Sequence, residues 1–320
     1  MVVGASAGGV EALISLAGSL SPDIDAAILV VLHISATGTS VLPSILDRVS
    51  RLHVESAVSG APLLPGTVYV APPDHHMLVE DGTIVLTQAP RENGHRPAID
   101  PAMRSAAAAY GPAAIGVVLS GARDDGTAGL LAIKAAGGKA VVQDPQEAVY
   151  ASMPRSAIEH AQVDAVLPVA GIAAWLGEAP PPPDGHGGSV AAMVHNEQGA
   201  TGTGTPPGEG TRYTCPDCGG VLFADEEGSL LRFRCSVGHA FSPESLESAQ
   251  AAALESALWA AVRSLEDRAD LLERMAKRHG TDRHRAERLR QEARVALERA
   301  ETIRGTIEEP HDLRRREPAA

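Results

Sequence analysis

The chain has 320 residues, enough for two domains. Hydrophobic residues make up 44% and aromatics only 3%, so any core must be built from Ala, Val, Leu and Ile. A net charge of −13 excludes a general nucleic-acid binder and a ligand of anionic membrane surfaces, both of which need basic surface. No apolar run reaches the ~18 residues a membrane span requires, and the N-terminus has no basic n-region, so no membrane insertion and a cytoplasmic location are expected.

Residues 1–178 alternate short β-branched runs with Ala-rich helical stretches. Strands are expected at Met1–Val3, Ala27–Leu32, Val68–Ala71, Thr83–Thr87, Ile115–Leu119, Lys139–Gln143 and Ala165–Pro168. Helices are expected at Val10–Ser19, Ser40–Val49, Asp100–Tyr110, Ala128–Ala136, Pro154–His160 and Ala170–Trp175, with Asp100 capping its own helix. Several strands are continuous apolar runs, as in a parallel sheet covered on both faces. The rhythm predicts an α/β domain with a doubly wound, mostly parallel sheet.

Residues 179–211 are rich in Pro, Gly and Thr and read as a linker. Residues 212–244 hold all three cysteines. Residues 245–308 carry two apolar stripes at alternating spacings of three and four. The first is Leu254, Leu258, Ala261, Leu265, Leu272 and Met275; the second runs from Ala286 to Ile307. His279–Gly280–Thr281–Asp282 separates them, so an α-helical hairpin is expected, able to support a homo-oligomer. Residues 309–320 read as a disordered tail.

Ser6 lies in Gly4–Ala5–Ser6–Ala7–Gly8–Gly9, between the first strand and the first helix. Small neighbours permit a sharp turn, and free N–H groups at a helix start favour a developing oxyanion. Alone, such a serine is more often a helix cap. His33 ends the second strand, and Asp125 lies in the loop after Ile115–Leu119; alone, Asp124 and Asp125 would simply cap the next helix. Carboxyl ends of parallel strands share one sheet edge, so Ser6, His33 and Asp125 can converge as nucleophile, base and orienting acid. A dinucleotide-binding reading is disfavoured: the turn lacks the GxGxxG spacing, and the second strand ends in His33 rather than an acid.

Cys215–Pro216–Asp217–Cys218 and Cys235–Ser236–Val237–Gly238–His239 flank a stretch of β character. Three thiolates and one imidazole at this spacing predict a zinc ribbon with a closed, structural Zn²⁺ site on Cys215, Cys218, Cys235 and His239.

Gly4–Leu13, His33, Val68–Met77, His95–Asp100, Leu119–Leu130, Gln143–Pro145 and Met153–Pro154 together resemble the CheB-type protein-glutamate methylesterase family over residues 1–178. The resemblance implies a Ser6–His33–Asp125 triad, with Asp125 rather than Asp124 as the acid. It implies hydrolysis of glutamate methyl esters, and deamidation of glutamines, on methyl-accepting chemoreceptor-type proteins. It implies functional pairing with a receptor methyltransferase, and no cofactor for catalysis. Ala7 and Ala122 stand where family members commonly have Thr and Met, so oxyanion support falls to their backbone, and His95 and Arg96 are expected to support substrate. The two alanines keep open a catalytically weak signalling scaffold. The family's chemotaxis members usually carry an N-terminal receiver domain, whereas here the esterase motifs start at Met1. The ribbon with the following Leu254–Trp259 segment resembles the C-terminal extension of stand-alone CheB-type proteins.

Overall fold

The computed structural model describes residues 1–178, 208–227, 230–278 and 282–308. The linker expected at 179–211 and the tail at 309–320 therefore fall largely or wholly outside the described residues. Two compact units divide the chain, Met1–Leu246 and Glu247–Ala320.

Seven strands form the main sheet: β1 (Val2–Ala5), β2 (Ile28–Leu32), β3 (His53–Ser56), β4 (Thr67–Val70), β7 (Ile115–Val118), β8 (Lys139–Gln143) and β9 (Ala165–Leu167). Their order is β3-β4-β2-β1-β7-β8-β9, and every pairing is parallel. β5 (His76–Glu80) and β6 (Thr83–Thr87) form a separate antiparallel hairpin. The chain runs outward from β1 through β2, then returns to β1's other side at β7. This reversal makes the carboxyl end of β1 a topological switch point, where a crevice opens in sheets of this kind.

Helices cover both faces. α1 (Gly9–Ser19), α2 (Leu42–Asp47) and α6 (Val169–Glu178) pack one side through Leu13, Leu16, Leu46 and Ile172. α3 (Ile99–Tyr110), α4 (Thr127–Ala135) and α5 (Ser152–His160) pack the other through Ile99, Met103, Leu130, Ile133 and Met153. The doubly wound expectation is met. The polar edge strand β3 and strand β5 lie where the sequence predicts none. Asp100 caps a different helix from the one expected: it sits inside α3, and its Oδ1 accepts the Gly126 and Gly129 N–H groups (2.9 and 2.8 Å) at the start of α4.

The ribbon consists of β10 (Glu209–Thr214), β11 (Val221–Glu227), β12 (Leu230–Cys235) and β13 (Ala240–Phe241), paired antiparallel in that order. It belongs to the same compact unit as the sheet. Asn93 N donates to Ala240 O (2.8 Å), and Ala240 N donates to Arg91 O (3.3 Å), so β13 lies along the loop before α3.

In the second unit, α7 (Pro243–Arg278) and α8 (Arg283–Glu308) form the expected hairpin. Ala269, Leu272 and Ala276 pack against Ala286, Leu289, Ala293 and Ala296. Alanines at the contact let the two backbones approach closely. Leu254, part of the expected stripe, is 62% exposed instead. Gly280, expected to cap the first helix, lies outside the described residues. Among the described residues no helix is long and apolar enough to cross a membrane.

Candidate active site

The turn after β1 is shaped by its small residues. Gly8 adopts φ +68°, and a Cβ there would lie 2.7 Å from Val149 Cβ and 2.9 Å from Ser120 Oγ. Only glycine fits, because the backbone conformation and the space both exclude a side chain. Ser6 N donates to Ser120 O (2.9 Å), and Ser120 Oγ donates to Ala7 O (2.8 Å). The serine turn is thereby tied to the end of β7. Ser120 N is in turn held by Gln143 Oε1 (2.8 Å) at the end of β8.

His33 reaches across from the end of β2. Its Nδ1 lies 3.0 Å from Ser6 Oγ, and its Nε2 lies 2.6 Å from Asp125 Oδ2. With Nε2–H donating to the carboxylate, Nδ1 carries the lone pair and accepts from Ser6. The structure thus brings the three expected residues into one hydrogen-bonded line. Ser6 keeps partial solvent access, whereas Asp125 is buried.

Asp125 is satisfied on both oxygens. Oδ2 also accepts Ile99 N (2.7 Å), and Oδ1 accepts Asn93 Nδ2 (2.9 Å) and Asp100 N (3.3 Å). Two of these donors are at the N-terminus of α3, where free N–H groups and the helix dipole favour an anion. Burial alone would raise this carboxyl, but the His33 hydrogen bond and the Ile99 N–H outweigh it. Asp125 is held below the usual carboxylate range.

The other expected residues divide. His95 stacks on His33 with ring centroids 3.7 Å apart and planes within 8°. Burial and the neighbouring His33 push His95 down to about 3, so it stacks as a neutral ring. Arg96 lies apart from this line. It pairs with Asp74 (2.6 Å) and donates to Gln88 O and Ala89 O (both 2.9 Å), bracing the loops around the β5–β6 hairpin. Ala7 flanks Ser6, and Ala122 lies in the loop between β7 and Asp125.

A buried polar cluster behind Asp125 goes beyond the expected residues. Asn93, Glu92, Asp100, Asp124, Arg232 and Ser242 are all buried. Arg104 holds Glu92 through both nitrogens (3.0 and 2.6 Å), and Arg232 of β12 also pairs with Glu92. Burial works to raise Glu92, but the two guanidiniums bring it down to about 2. Burial and the Asp125 charge instead push Asp100 well up. A sequence signal existed for Arg232: a cation inside the apolar run Leu230–Phe233 must find a buried acid.

The Cys/His cluster also assembles. The ligand atoms of Cys215, Cys218, Cys235 and His239 all lie within 4.8 Å of one another. Cys218 Sγ is 3.6 Å from Cys235 Sγ, which is 3.5 Å from His239 Nδ1. A tetrahedral ion with bonds of about 2.3 Å to sulfur has edges of about 3.8 Å, so the four groups fit one metal. His239 Nε2 faces Asp217 Oδ2 at 3.9 Å, a charge proximity beyond hydrogen-bond distance.

A Ser–His–Asp line at the switch point of a doubly wound sheet is the arrangement of a serine hydrolase. Residues 1–176 match the CheB methylesterase family, and the chain belongs to that family. A relative from Leptospira interrogans is 41% identical over 174 residues, covering 54% of this chain and 90% of that protein. The protein-glutamate methylesterase/protein-glutamine glutaminase 2 of Anaeromyxobacter dehalogenans is 41% identical over 169 residues. These cover 53% of this chain and 50% of that protein, so the match spans half of its length. The catalytic domain of Thermotoga maritima CheB methylesterase, a crystal structure, superposes with a TM-score of 0.53 at 35% identity, covering 55% of this chain and 96% of that one. The family expected from the sequence motifs is therefore the family found.

Proposed function

We propose that the chain hydrolyses glutamate 5-methyl esters on chemoreceptor-type proteins, and deamidates glutamines, with Ser6 as nucleophile, His33 as base and Asp125 as orienting acid. The reading rests above all on the continuous line Ser6 Oγ–His33 Nδ1 (3.0 Å) and His33 Nε2–Asp125 Oδ2 (2.6 Å) in a CheB-family chain.

His33 Nδ1 takes the Ser6 proton as Oγ attacks the γ-carbonyl carbon. The resulting imidazolium is stabilised by Asp125. The same proton passes to the departing methoxide, which leaves as methanol; ammonia leaves when the substrate is glutamine. Water, deprotonated by His33, then cleaves the acyl-enzyme to glutamate and regenerates Ser6. The Ala7 and Ala122 N–H groups serve as oxyanion donors in this reading, and the start of α1 adds its dipole. His95 supports the imidazole face.

The Cys215, Cys218, Cys235 and His239 set holds a structural zinc with no part in the chemistry. The setting is cytoplasmic, with a receptor methyltransferase as functional counterpart and the α7–α8 hairpin as a self-association surface.

The test is methanol release from a methylated receptor fragment, wild type against Ser6→Ala. Loss of at least about 10³-fold in kcat is expected. Equal release from both proteins would overturn the triad and favour the scaffold reading that Ala7 and Ala122 leave open.

A further inference from the structure

Asn93 is a two-sided connector. Its Nδ2 donates to Asp125 Oδ1 (2.9 Å) and to Asp100 Oδ2 (3.0 Å). Its Oδ1 accepts from Arg232 Nη1 (3.3 Å), Ser242 N (3.1 Å) and Ser245 Oγ (3.1 Å). Acceptors stand on one side and donors on the other, so the amide has one orientation that satisfies both. The three donors come from the ribbon strand β12, the turn after the ribbon and the first turn of α7.

The charges point the same way. Glu92, Asp100 and Asp125 form a buried cluster of carboxyls, and like charges at such range oppose one another's ionisation. Arg232 pairs with Glu92 and lies 3.4 Å from Asp100. Ser242 Oγ donates to Asp124 Oδ1 (2.8 Å), the residue beside Asp125. Arg232 lies three residues before Cys235, and Ser242 three residues after His239, so the Cys/His cluster fixes the backbone from which both reach.

We infer that the ribbon is a working part of the esterase site, with Arg232 as a positioning residue that acts through Asn93 to orient Asp125. This rests on the Ser6–His33–Asp125 reading proposed above. Without the guanidinium, Asn93 loses a donor on its Oδ1 side and the carboxyl cluster loses a cation. Ser242 N and Ser245 Oγ still hold the Asn93 oxygen, so the amide keeps its orientation but is held less firmly against Asp125, the acid that aligns His33.

Full-length Arg232→Met and Arg232→Lys are the test, each checked for zinc content and thermal melting. Arg232→Met is expected to lower kcat about 10–100-fold with KM within about twofold. The pH profile of kcat is expected to shift with it. The downfield proton resonance of the His33–Asp125 hydrogen bond should shift or broaden. Arg232→Lys keeps the charge and should recover kcat to within about fivefold of wild type. Should Arg232→Met fail to fold, Ser245→Ala removes one donor to Asn93 more gently; it should lower kcat by about 2–5-fold and move the same resonance. A folded Arg232→Met with wild-type kcat, pH profile and resonance would overturn the inference, as would an unmoved resonance in Ser245→Ala. Ser6→Ala run in parallel separates the two readings. If it stays active the triad fails, and the resonance alone then decides whether Arg232 orders Asp125.

Discussion

In the seven-stranded sheet, Leu13, Ile99, Leu130 and Ile133 are sealed between strands and helices, and both faces are mainly aliphatic, with Tyr69 buried on one of them. The ribbon's centre holds little more than Leu222, Phe233, Phe241 and two cysteines. It spans Glu209 to Phe241, too short to bury a core that offsets its chain entropy. The sheet is held by apolar burial. The ribbon has polar contacts to the loop 91–95 and to Asp100 and Asp124, and in the proposed reading a metal on its Cys/His cluster holds the rest. One compact unit thus contains two kinds of stability, and perturbations should separate them.

The largest separation is expected from metal removal. Small structural zinc sites contribute on the order of 10 kcal/mol. Chelation should therefore abolish amide-exchange protection at Leu222 and Phe233 while Val117 and Val141 stay protected. Protection persisting in the ribbon after full metal loss would erase the contrast. A smaller effect of the opposite kind is expected from Leu130→Ala, which opens a cavity between α4 and the sheet. It should cost about 2–5 kcal/mol in urea unfolding, with zinc content unchanged; loss of zinc in the native state of that variant would show that the ribbon depends on the sheet's packing.

The smallest effect concerns the seam between the two. Burial pushes Asp124 from 3.8 up to about 6, so the folded state holds its proton more tightly than the unfolded chain. The stability this gives is complete below 3.8 and is lost as pH rises to about 6, on the order of 3 kcal/mol in total. The unfolding free energy of wild type should fall relative to that of Asp124→Asn across this window. Parallel curves would mean that the seam does not sense the Asp124 proton.

Much of this was legible in the sequence, for physical reasons that vary by residue. β1, β2 and β7 are short runs of apolar residues and glycine, rich in Val and Ile, because both faces are covered, and such runs stand out. β3 is His-Val-Glu-Ser at the sheet's edge, with only Val54 buried, so no run marks it. Ser6, His33 and Asp125 were readable because each follows a recognisable strand, and the Cys/His spacing names its own cluster. Asp100 illustrates the limit. Local pattern makes it a cap for its own helix, but tertiary packing turns its carboxylate to α4. Asn93 and Arg232 were not readable as partners, since 139 residues separate them and no periodicity links a loop asparagine to a strand arginine.

The family match ends at residue 176, but the groups surrounding the Asp125 carboxylate continue to Ser245. The unit of homology is therefore smaller than the unit of solvation. A protein engineer excising residues 1–176 as a minimal esterase would keep the whole Ser6–His33–Asp125 line. The cut would also open Glu92, Asp100 and the Asn93 oxygen to water, groups that the intact chain wraps in its own guanidinium and hydroxyls. Grafting this catalytic part onto another protein means carrying the ribbon with it, or rebuilding its donors.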